Sequence, residues 1–298
     1  MLRKVSLPAI LGVLLIAARV FAAGPFPYRL PQSAGVDPQA VTVVGQPQKH
    51  HIVRYQNMYE IARKYNLGFW ELAKFHRALD HFYLPWDTDV VIPTQWVLPE
   101  TGNPPGYLIN VAELRGYRFF PEKGEVRTYA IGVGVLDHKT PFGRYRVQSK
   151  AANPGWRIPK SLQWKYQRSF MPPGEDNPIG SHWLGISAYG LHGTHAPMGV
   201  GRLVSHGCMR HYPEDIAELF NLTPVGASVE IIYEPVKFGF LTGRIFVEVH
   251  EDIYFKIPNM FTYALERLNK RGLGAQINWT RFLRAVEEQT GAPVDITR

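Results

Sequence analysis

The segment LPETGNPPG, residues 98–106, places the strongest constraint on how this chain can fold. It holds three prolines and two glycines within nine residues. Neither a helix nor a strand continues easily through such a run, because proline lacks a backbone N–H donor and glycine costs conformational entropy. The 298-residue chain is therefore predicted to fold as two main domains, one on each side of this linker.

The beginning of the chain has the pattern of an export signal. Arg3 and Lys4 precede an apolar run over residues 7–18, which is followed by small residues. The run is too short to cross a bilayer comfortably, so a cleaved signal peptide over residues 1–23 is favoured over an uncleaved anchor. We expect an exported mature chain without a stable membrane span, beginning with a leader over residues 24–49.

Residues 50–97 show a strand, helix, helix, strand pattern. Apolar residues at Met58, Ile61, Ala62 and Tyr65 share one helical face behind a candidate cap at Asn57. The sequence YQNMYEIARKYNLGFWELAKFH resembles the helix pair of LysM peptidoglycan-binding modules. The resemblance implies glycan binding, and the alternative is a domain that only packs against its neighbour.

The region after the linker is predicted to be mainly β. YLINVAELRGYRFF and VRTYAIGVGV are rich in β-branched and aromatic residues, and PEDIAELF predicts one helix. We place the second domain at residues 107–235 and a C-terminal strand with two amphipathic helices at 236–298. The helices are expected to pack on the β domain, with a cover over the active site or a partner-binding surface as alternatives.

Cys208 is the only cysteine of the chain, so no internal disulfide can form. Unpaired thiols are uncommon in exported proteins, so Cys208 has either a chemical role or a place in a core. A thiol with a pKa of about 8.5 is mostly protonated at neutral pH and needs a base to become a nucleophile. A histidine, with a pKa of about 6.5, can take that proton and then stabilise the thiolate.

Two histidines are candidates for this base. His206 is two residues before Cys208, and in a strand this spacing would place both side chains on one face. His192 lies further upstream and must be brought back by the fold. Gly207 allows a tight turn whose amides can point at a developing oxyanion, and Arg210 can bind a carboxylate in a bidentate manner.

The stretch LHGTHAPMGVGRLVSHGCMR, residues 191–210, resembles the signature of the L,D-transpeptidases, the YkuD-type cysteine enzymes of bacterial cell walls. TPFGRYRV (140–147) and PPGEDNPIG (172–180) resemble further elements of that family. His195 and His211 depart from the pattern, because Asn and Leu or Met are usual there. Together with the LysM-like unit, the resemblance covers roughly residues 40–250 and implies an α+β fold with a mixed β sandwich.

The resemblance also implies a role for each site residue. Cys208 is the acylated nucleophile, His192 is its general base, and the backbone carbonyl of Gly193 orients the imidazole. His206 and Gly207 line the same pocket, where the amides of Gly207 and Cys208 form the oxyanion hole. The residues assigned to loop support or substrate binding are Ser205, Thr194 and Arg210. No metal and no cofactor is implied.

The implied reaction is a two-step acyl transfer. Cys208 forms a thioester with the diamino acid of a peptidoglycan tetrapeptide stem and expels the terminal D-Ala. The acceptor stays open: a second stem gives a 3-3 cross-link, an outer-membrane protein or lipoprotein becomes anchored to the wall, and water gives a carboxypeptidase. Release of wall-bound protein is a further alternative. The arrangement is typical of proteobacterial periplasmic members, which implies a periplasmic location.

Two other classes of function are weaker alternatives. Five histidines at 182, 192, 195, 206 and 211 suggest a metal-dependent hydrolase, but no H-E-x-x-H motif accompanies them. A wall-binding protein without catalysis would not need the complete Cys/His set. Residues 1–23 hold three basic and no acidic residues, so their removal lowers the net charge from +8 to about +5. This excess suits an anionic polymer, but the basic residues are scattered and lack the arginine-aromatic pattern of nucleic-acid binding.

Overall fold

A computed structural model describes residues 23–33 and 35–298. The predicted signal peptide over residues 1–23 lies outside the described residues, apart from its last one. Among the helices that the structure describes, none has the length and apolar character needed to cross a membrane.

The part of the chain before the linker forms a small unit of strands and two short helices. Its elements are β1 (Phe26–Pro27), β2 (Val43–Gly45), β3 (Gln48–Ile52), α1 (Met58–Lys64), α2 (Phe69–Phe75), β4 (Thr88–Ile92) and β5 (Gln95–Val97). Strands β3 and β4 pair antiparallel, with Gln48 opposite Ile92. The β3, α1, α2, β4 order is the one expected of a LysM-like unit.

Helix α1 begins where the sequence predicts. Asn57 is its N-cap: Glu60 N donates to Asn57 Oδ1 at 3.0 Å, and Asn57 N donates to Glu60 Oε2 at 3.3 Å. This reciprocal pair satisfies two amides that the first helical turn leaves without partners. The predicted apolar face is buried at Met58, Ile61, Ala62 and Tyr65.

The segment over residues 24–49 is more ordered than the leader we expected. Phe26 pairs with Val126 in the sheet of the second domain, and β2 pairs antiparallel with β5. The β-branched residues at 41–44 explain the difference, because they favour a strand once a partner edge is available. The segment is an integral part of the fold.

The region after the linker is the mainly β domain that the sequence predicts. Its elements are β6 (Tyr107–Asn110), β7 (Arg115–Phe120), β8 (Glu125–Gly134), β9 (Gly143–Arg146), β10 (Ser149–Ala152), β11 (Trp156–Arg157), α3 (Gln163–Tyr166), β12 (Phe170–Met171), β13 (His182–Ile186), β14 (Tyr189–His192), β15 (Leu203–Ser205), β16 (Met209–His211), α4 (Pro213–Leu222) and β17 (Ser228–Ile232).

Most of these strands form one sheet in the order β10-β13-β14-β16-β8-β7-β6-β17-β9, and β1 and β15 also pair with β8. Strand β8 pairs with β7 over residues 125–130, whereas it pairs with β16 and β15 further along, at residues 131–134. This long strand therefore joins two parts of the sheet. Together with the helices, the sheet gives the α+β class that was predicted.

The C-terminal part forms a third layer of structure. Its elements are β18 (Val236–Leu241), β19 (Arg244–Val249), α5 (Met260–Lys270), α6 (Trp279–Glu288) and β20 (Val294–Asp295). Both helices pack on β18 and β19, in a core that includes Phe238, Val247 and Phe282. The expectation that the helices pack on the catalytic sheet is wrong, because the adjoining hairpin provides its own apolar face.

The LysM-like unit is docked tightly on the catalytic domain. The Arg115 guanidinium, 1% exposed, lies 2.6 Å from a carboxylate oxygen of Glu71. The side chain of Asn66 donates to Asp215 Oδ1 at 2.6 Å and accepts from Ala130 N at 2.9 Å. These buried polar contacts cross between the two units, so the linker does not separate them in space.

Candidate active site

Two neighbouring parallel strands bring the predicted nucleophile and base together. Strands β14 and β16 pair with Leu191 opposite Met209 and His192 opposite Arg210. Cys208 directly precedes β16, so in this register it lies level with Gly190, two residues before His192. The sixteen-residue separation between His192 and Cys208 in sequence is thus closed by the sheet, and both line one cavity.

His192 is held as a neutral base. Its ring is 4% exposed and stacks on Trp183, with 5.7 Å between the ring centroids. Nδ1 lies 2.6 Å from Gly193 O, and because a carbonyl only accepts, Nδ1 carries the proton and Nε2 keeps its lone pair. Burial, with the charge of Arg210, lowers the pKa of His192 to about 3.

Cys208 is a half-buried free thiol. Burial raises its pKa above the usual value, while a backbone hydrogen bond from Gly190 and the charge of Arg210 act in the opposite direction. The resting pair is therefore a thiol beside a neutral imidazole. Nucleophilic attack then needs proton transfer to the histidine, which is the general-base form of cysteine catalysis.

Residues 206–208 form a turn between β15 and β16, so the argument that places His206 and Cys208 on one strand face is wrong. Gly207 has φ = 105°, and a Cβ there would lie 2.4 Å from the Tyr189 ring. Glycine is required both for the positive φ and for the close contact, and it breaks the strand. His206 still lines the cavity, 4.6 Å from the His138 ring between centroids.

Ser205 holds this turn from inside. Its Oγ donates to Cys208 O at 2.6 Å and accepts from Gly207 N at 3.2 Å. The Gly207 amide is therefore already engaged. Of the two amides predicted for the oxyanion hole, that of Cys208 is the better candidate.

The cavity has a volume of about 450 Å³ and is lined by residues between 151 and 210. Arg210 contributes a cation whose pKa is lowered by burial, and its buried Nε has no hydrogen-bond partner among the described residues. A guanidinium in this position can bind a carboxylate of a ligand. The C-terminal helices do not contribute to the lining.

Thr194 is positioned differently from the substrate-binding role we expected. It is buried, its hydroxyl accepts from Ala196 N at 3.0 Å, and it is not part of the cavity lining. Its short side chain is used within the 193–196 loop, so it supports that loop. Gly193 likewise acts through its carbonyl rather than by facing the cavity.

The five clustered histidines do not form a metal site. His211 is buried against Tyr107, with 2.9 Å between Nε2 and the hydroxyl, and His182 packs against Phe220. In the described part of the chain, the group with metal-ligand geometry is Glu113, Glu248 and His250. The ammonium of Lys237 already lies between its carboxylates, so we assign no metal there.

Comparison with known proteins agrees with this geometry. Residues 104–231 match the L,D-transpeptidase catalytic domain family, YkuD. The chain is 34% identical over 280 residues to the probable L,D-transpeptidase YcfS of Escherichia coli K12, covering 88% of this chain and 87% of the relative. The chain belongs to the L,D-transpeptidase family. The members of this family are cysteine acyltransferases, and this chain is one of them.

A second relative of this L,D-transpeptidase is the probable L,D-transpeptidase ErfK/SrfK of Escherichia coli K12, 31% identical over 260 residues, with coverage of 81% and 83%. Among solved structures, the catalytic domain of an L,D-transpeptidase from E. faecium aligns with 43% of this chain and 97% of its own. Its sequence identity is 20% and its TM-score is 0.35. A similarity of this size supports no conclusion about the site.

Sequence reasoning missed the wall of the cavity that faces the thiol. Residues 153–172, here called the cap segment, form a hairpin in which β11 pairs with β12, and α3 lies between these strands. Asn177 fixes its base, since Nδ2 donates to Pro154 O at 2.9 Å and to Pro172 O at 3.1 Å. Strands of two residues leave no periodic signal, so the sequence did not predict this hairpin.

Proposed function

We propose that this L,D-transpeptidase is exported to the periplasm and acts there on tetrapeptide stems of peptidoglycan. Cys208 is the nucleophile and His192 the general base, with Arg210 binding a substrate carboxylate. The observation that carries these roles is the neutral imidazole of His192, fixed by Gly193 O and sharing one cavity with the thiol of Cys208.

The first half of the reaction forms the thioester. His192 Nε2 takes the Sγ proton as sulfur attacks the carbonyl carbon at the L-centre of the diamino acid. The Cys208 amide stabilises the oxyanion that forms. Collapse of this intermediate breaks the C–N bond, and the imidazolium returns the proton to the amine of the departing D-Ala.

The second half repeats these steps in reverse with an acceptor amine. The amine attacks the thioester, His192 takes its proton, and the thiol leaves as the new amide forms. A second stem gives a 3-3 cross-link, and an outer-membrane protein or lipoprotein becomes anchored to the wall. Water as acceptor gives an L,D-carboxypeptidase. If Cys208 instead attacks a protein-stem amide, the protein amine leaves, and water then hydrolyses the thioester, so that wall-bound protein is released.

The test is thioester formation by the full mature chain. We expect incubation with a tetrapeptide stem to release D-Ala and to add the mass of the tripeptide acyl group to Cys208. The C208A variant should show neither signal. The H192Q variant should slow D-Ala release by about 10²- to 10⁴-fold, the usual contribution of a general base.

His195→Gln is the matched control, because His195 is near in sequence but lies outside the cavity lining. Its rate should stay close to that of the wild type. An unmodified cysteine in the wild type, or equal losses in H192Q and H195Q, would contradict the proposal. Adding an amine acceptor, an acceptor protein or buffer alone then separates the transferase from the hydrolase outcome.

We also propose that the LysM-like unit binds glycan strands, and exposed aromatic side chains support this. Two loops, residues 53–57 and 81–87, lie side by side at one end of the unit. Backbone hydrogen bonds from Met58 N to His81 O and from Asp87 N to Ile52 O connect them. They carry aromatic residues with most of their surface exposed, namely Tyr55, Phe82, Tyr83 and Trp86. Aromatic faces that water surrounds are suited to stacking on sugar rings.

Sedimentation with purified sacculi measures this second activity. The Y83A/W86A variant should be retained less than the wild type, whereas F255A should not differ from it. Phe255 is a suitable control because it is also highly exposed but lies in the C-terminal part. Equal retention of all three proteins would show that the LysM-like unit only packs against the catalytic domain.

A further inference from the structure

The active-site cavity is lined by cations that have no counterions. Arg157, Lys165 and Arg210 all line it. In the part of the chain that the structure describes, none of them forms a salt bridge, and no Asp or Glu is among the lining residues. Arg210 is partly buried, and most other partly buried cations in the described chain do have carboxylate partners, such as Arg115 and Lys237. Arg157 and Lys165 are exposed. A lining with cations and without carboxylates suits an anionic ligand.

Two of these cations belong to the cap segment. Arg157 lies in β11 and Lys165 in α3, which are held against each other by an edge contact between Trp156 and Tyr166, 5.0 Å between centroids. The buried side chain of Asn177 ties both ends of the hairpin to the protein. The backbone positions that carry the two charges are thus fixed by packing.

Arg210 is the cation beside the reacting pair, since its charge influences the pKa values of both Cys208 and His192. Burial lowers the pKa of His206, and the charges of Lys165 and Arg210 both act in the same direction. Lys165 reaches the cavity from the cap segment, whereas Arg210 reaches it from β16. A ligand that fills the cavity meets one cation at the nucleophile and others on the cap segment.

A tetrapeptide stem offers carboxylates at two different positions. The C-terminal carboxylate of D-Ala is separated from the scissile carbonyl only by a nitrogen and one carbon, so it lies close to Cys208. A diamino acid with two carboxyl groups carries the second one at the far end of its side chain. Arg210 is placed for the first carboxylate, and the cap segment for the second.

We propose that Arg157 and Lys165 bind the distal carboxylate of the donor's diamino acid, so that the cap segment selects ionised stems over stems amidated at that position. This inference rests on the proposed function, since it assumes that Cys208 is acylated by a stem. Arg157 and Lys165 act as specificity determinants and take no part in bond making. Their side chains are exposed to solvent, so their effect is screened by salt.

The test compares two donors that differ in one group. One is a tetrapeptide stem with all carboxylates free, and the other is the same stem with the distal carboxyl of the diamino acid converted to an amide. For each we measure kcat/KM of D-Ala release by the full mature chain and by the R157Q/K165Q variant. The control variant, K160Q/R168Q, removes two charges from the same segment at positions outside the cavity lining.

We expect R157Q/K165Q to lower kcat/KM for the ionised donor by about tenfold, mainly through KM, because these contacts persist unchanged in the transition state. The amidated donor should react with the wild type and with the variant at the same reduced rate. The control should match the wild type with both donors. Raising the salt concentration should reduce the preference of the wild type for the ionised donor.

Equal rates of the wild type with both donors would overturn the inference, and so would an equal loss in R157Q/K165Q with both donors. Either result leaves the proposed function intact, because Cys208 is still acylated. Failure of the wild type to react with either donor would instead contradict the proposed function. Reaction of the variant with the amidated donor at the wild-type rate shows that it is folded.

Discussion

Lys237 and Arg210 are both cations placed inside the protein, and they differ in what surrounds them. Lys237 is 1% exposed, and its Nζ lies 2.5 Å from Glu113 Oε2, 2.7 Å from Glu248 Oε1 and 2.6 Å from Val97 O. Arg210 has no carboxylate partner in the described chain. Lys237, with all its partners in place, stabilises the fold, whereas Arg210, without a partner, is available to bind a ligand.

The Lys237 cluster joins three parts of the chain. Glu113 comes from the catalytic domain, Val97 from the end of the LysM-like unit, and Glu248 with His250 from the C-terminal hairpin. His250 Nε2 lies 2.7 Å from Glu248 Oε1, and burial lowers its pKa to about 3. The cluster therefore fixes how the three parts meet, whereas in the described chain no salt bridge connects the cavity cations to another part of the fold.

The largest effect on stability should come from K237M, which leaves two buried carboxylates without a cation. Removing one member of a buried ion pair costs about 3–5 kcal/mol, and urea unfolding measures it. The rate of D-Ala release by the folded protein should not change. Lys270→Met, at the exposed end of α5, should stay within about 0.5 kcal/mol of the wild type. A loss below about 1 kcal/mol in K237M would show that the cluster is not a structural joint.

The R210M variant should show the opposite pattern. D-Ala release should fall by about 10- to 100-fold, since a charge-assisted hydrogen bond to substrate is lost. Its free energy of unfolding should stay equal or rise, because a buried charge without partners is replaced by an apolar chain. The control is R168M, an exposed arginine of the cap segment. A strong loss of stability without a loss of rate would mean that Arg210, like Lys237, has a structural role and does not bind substrate.

Asp215 gives a third and smaller case, a buried acid whose pKa burial raises to about 8. Because the pKa of Asp215 is higher in the folded than in the unfolded protein, the protonated side chain contributes fully to the free energy of unfolding below about pH 4, which is the pKa of Asp in an unfolded chain. That contribution is lost as the pH rises through about 8. The D215N variant cannot ionise, so it should exceed the wild type by about 1–2 kcal/mol at pH 8 and match it near pH 4. Parallel stability curves over this range would contradict the assignment.

The smallest effect is expected at a surface pair between the same two units. The Arg63 guanidinium contacts both carboxylate oxygens of Glu214 at 2.9 Å, but both side chains are more than a third exposed. Solvent screens such pairs, so a double-mutant cycle with R63A and E214A should give a coupling energy of about 0.2–1 kcal/mol. A coupling energy as large as the K237M effect would mean that burial does not explain the difference in strength between the Lys237 cluster and this exposed pair.

Local patterns in the sequence predicted the local structure. The Asn57 cap, the buried face of α1 and the α4 helix all follow from residues within one or two turns of each other. The pairing of His192 with Cys208 was given by a resemblance, and the parallel strands β14 and β16 explain it. The turn at Gly207 was half predicted: its glycine was identified, but the strand on which His206 and Cys208 would share a face does not exist.

The long-range polar contacts could not be predicted. The residues around Asn66 carry no signal for a long-range role, although its side chain joins Asp215 to the backbone of Ala130. Lys237 lies in a stretch that gave no signal for a buried charge, since its partners are far away in the sequence. Such contacts depend on which surfaces meet, and a single sequence holds no period or spacing that reports this.

The close approach of Gly68 to Gly201 has a consequence for how the enzyme meets a polymer. A Cβ on Gly68 would lie 2.6 Å from the Gly201 Cα, so the helix pair sits backbone to backbone on the loop that leads into the Cys208 turn. The distance between the aromatic loops and the Cys208 sulfur is thus fixed. A glycan strand bound at the aromatic loops would present to the sulfur only those stems that lie at this distance along the strand.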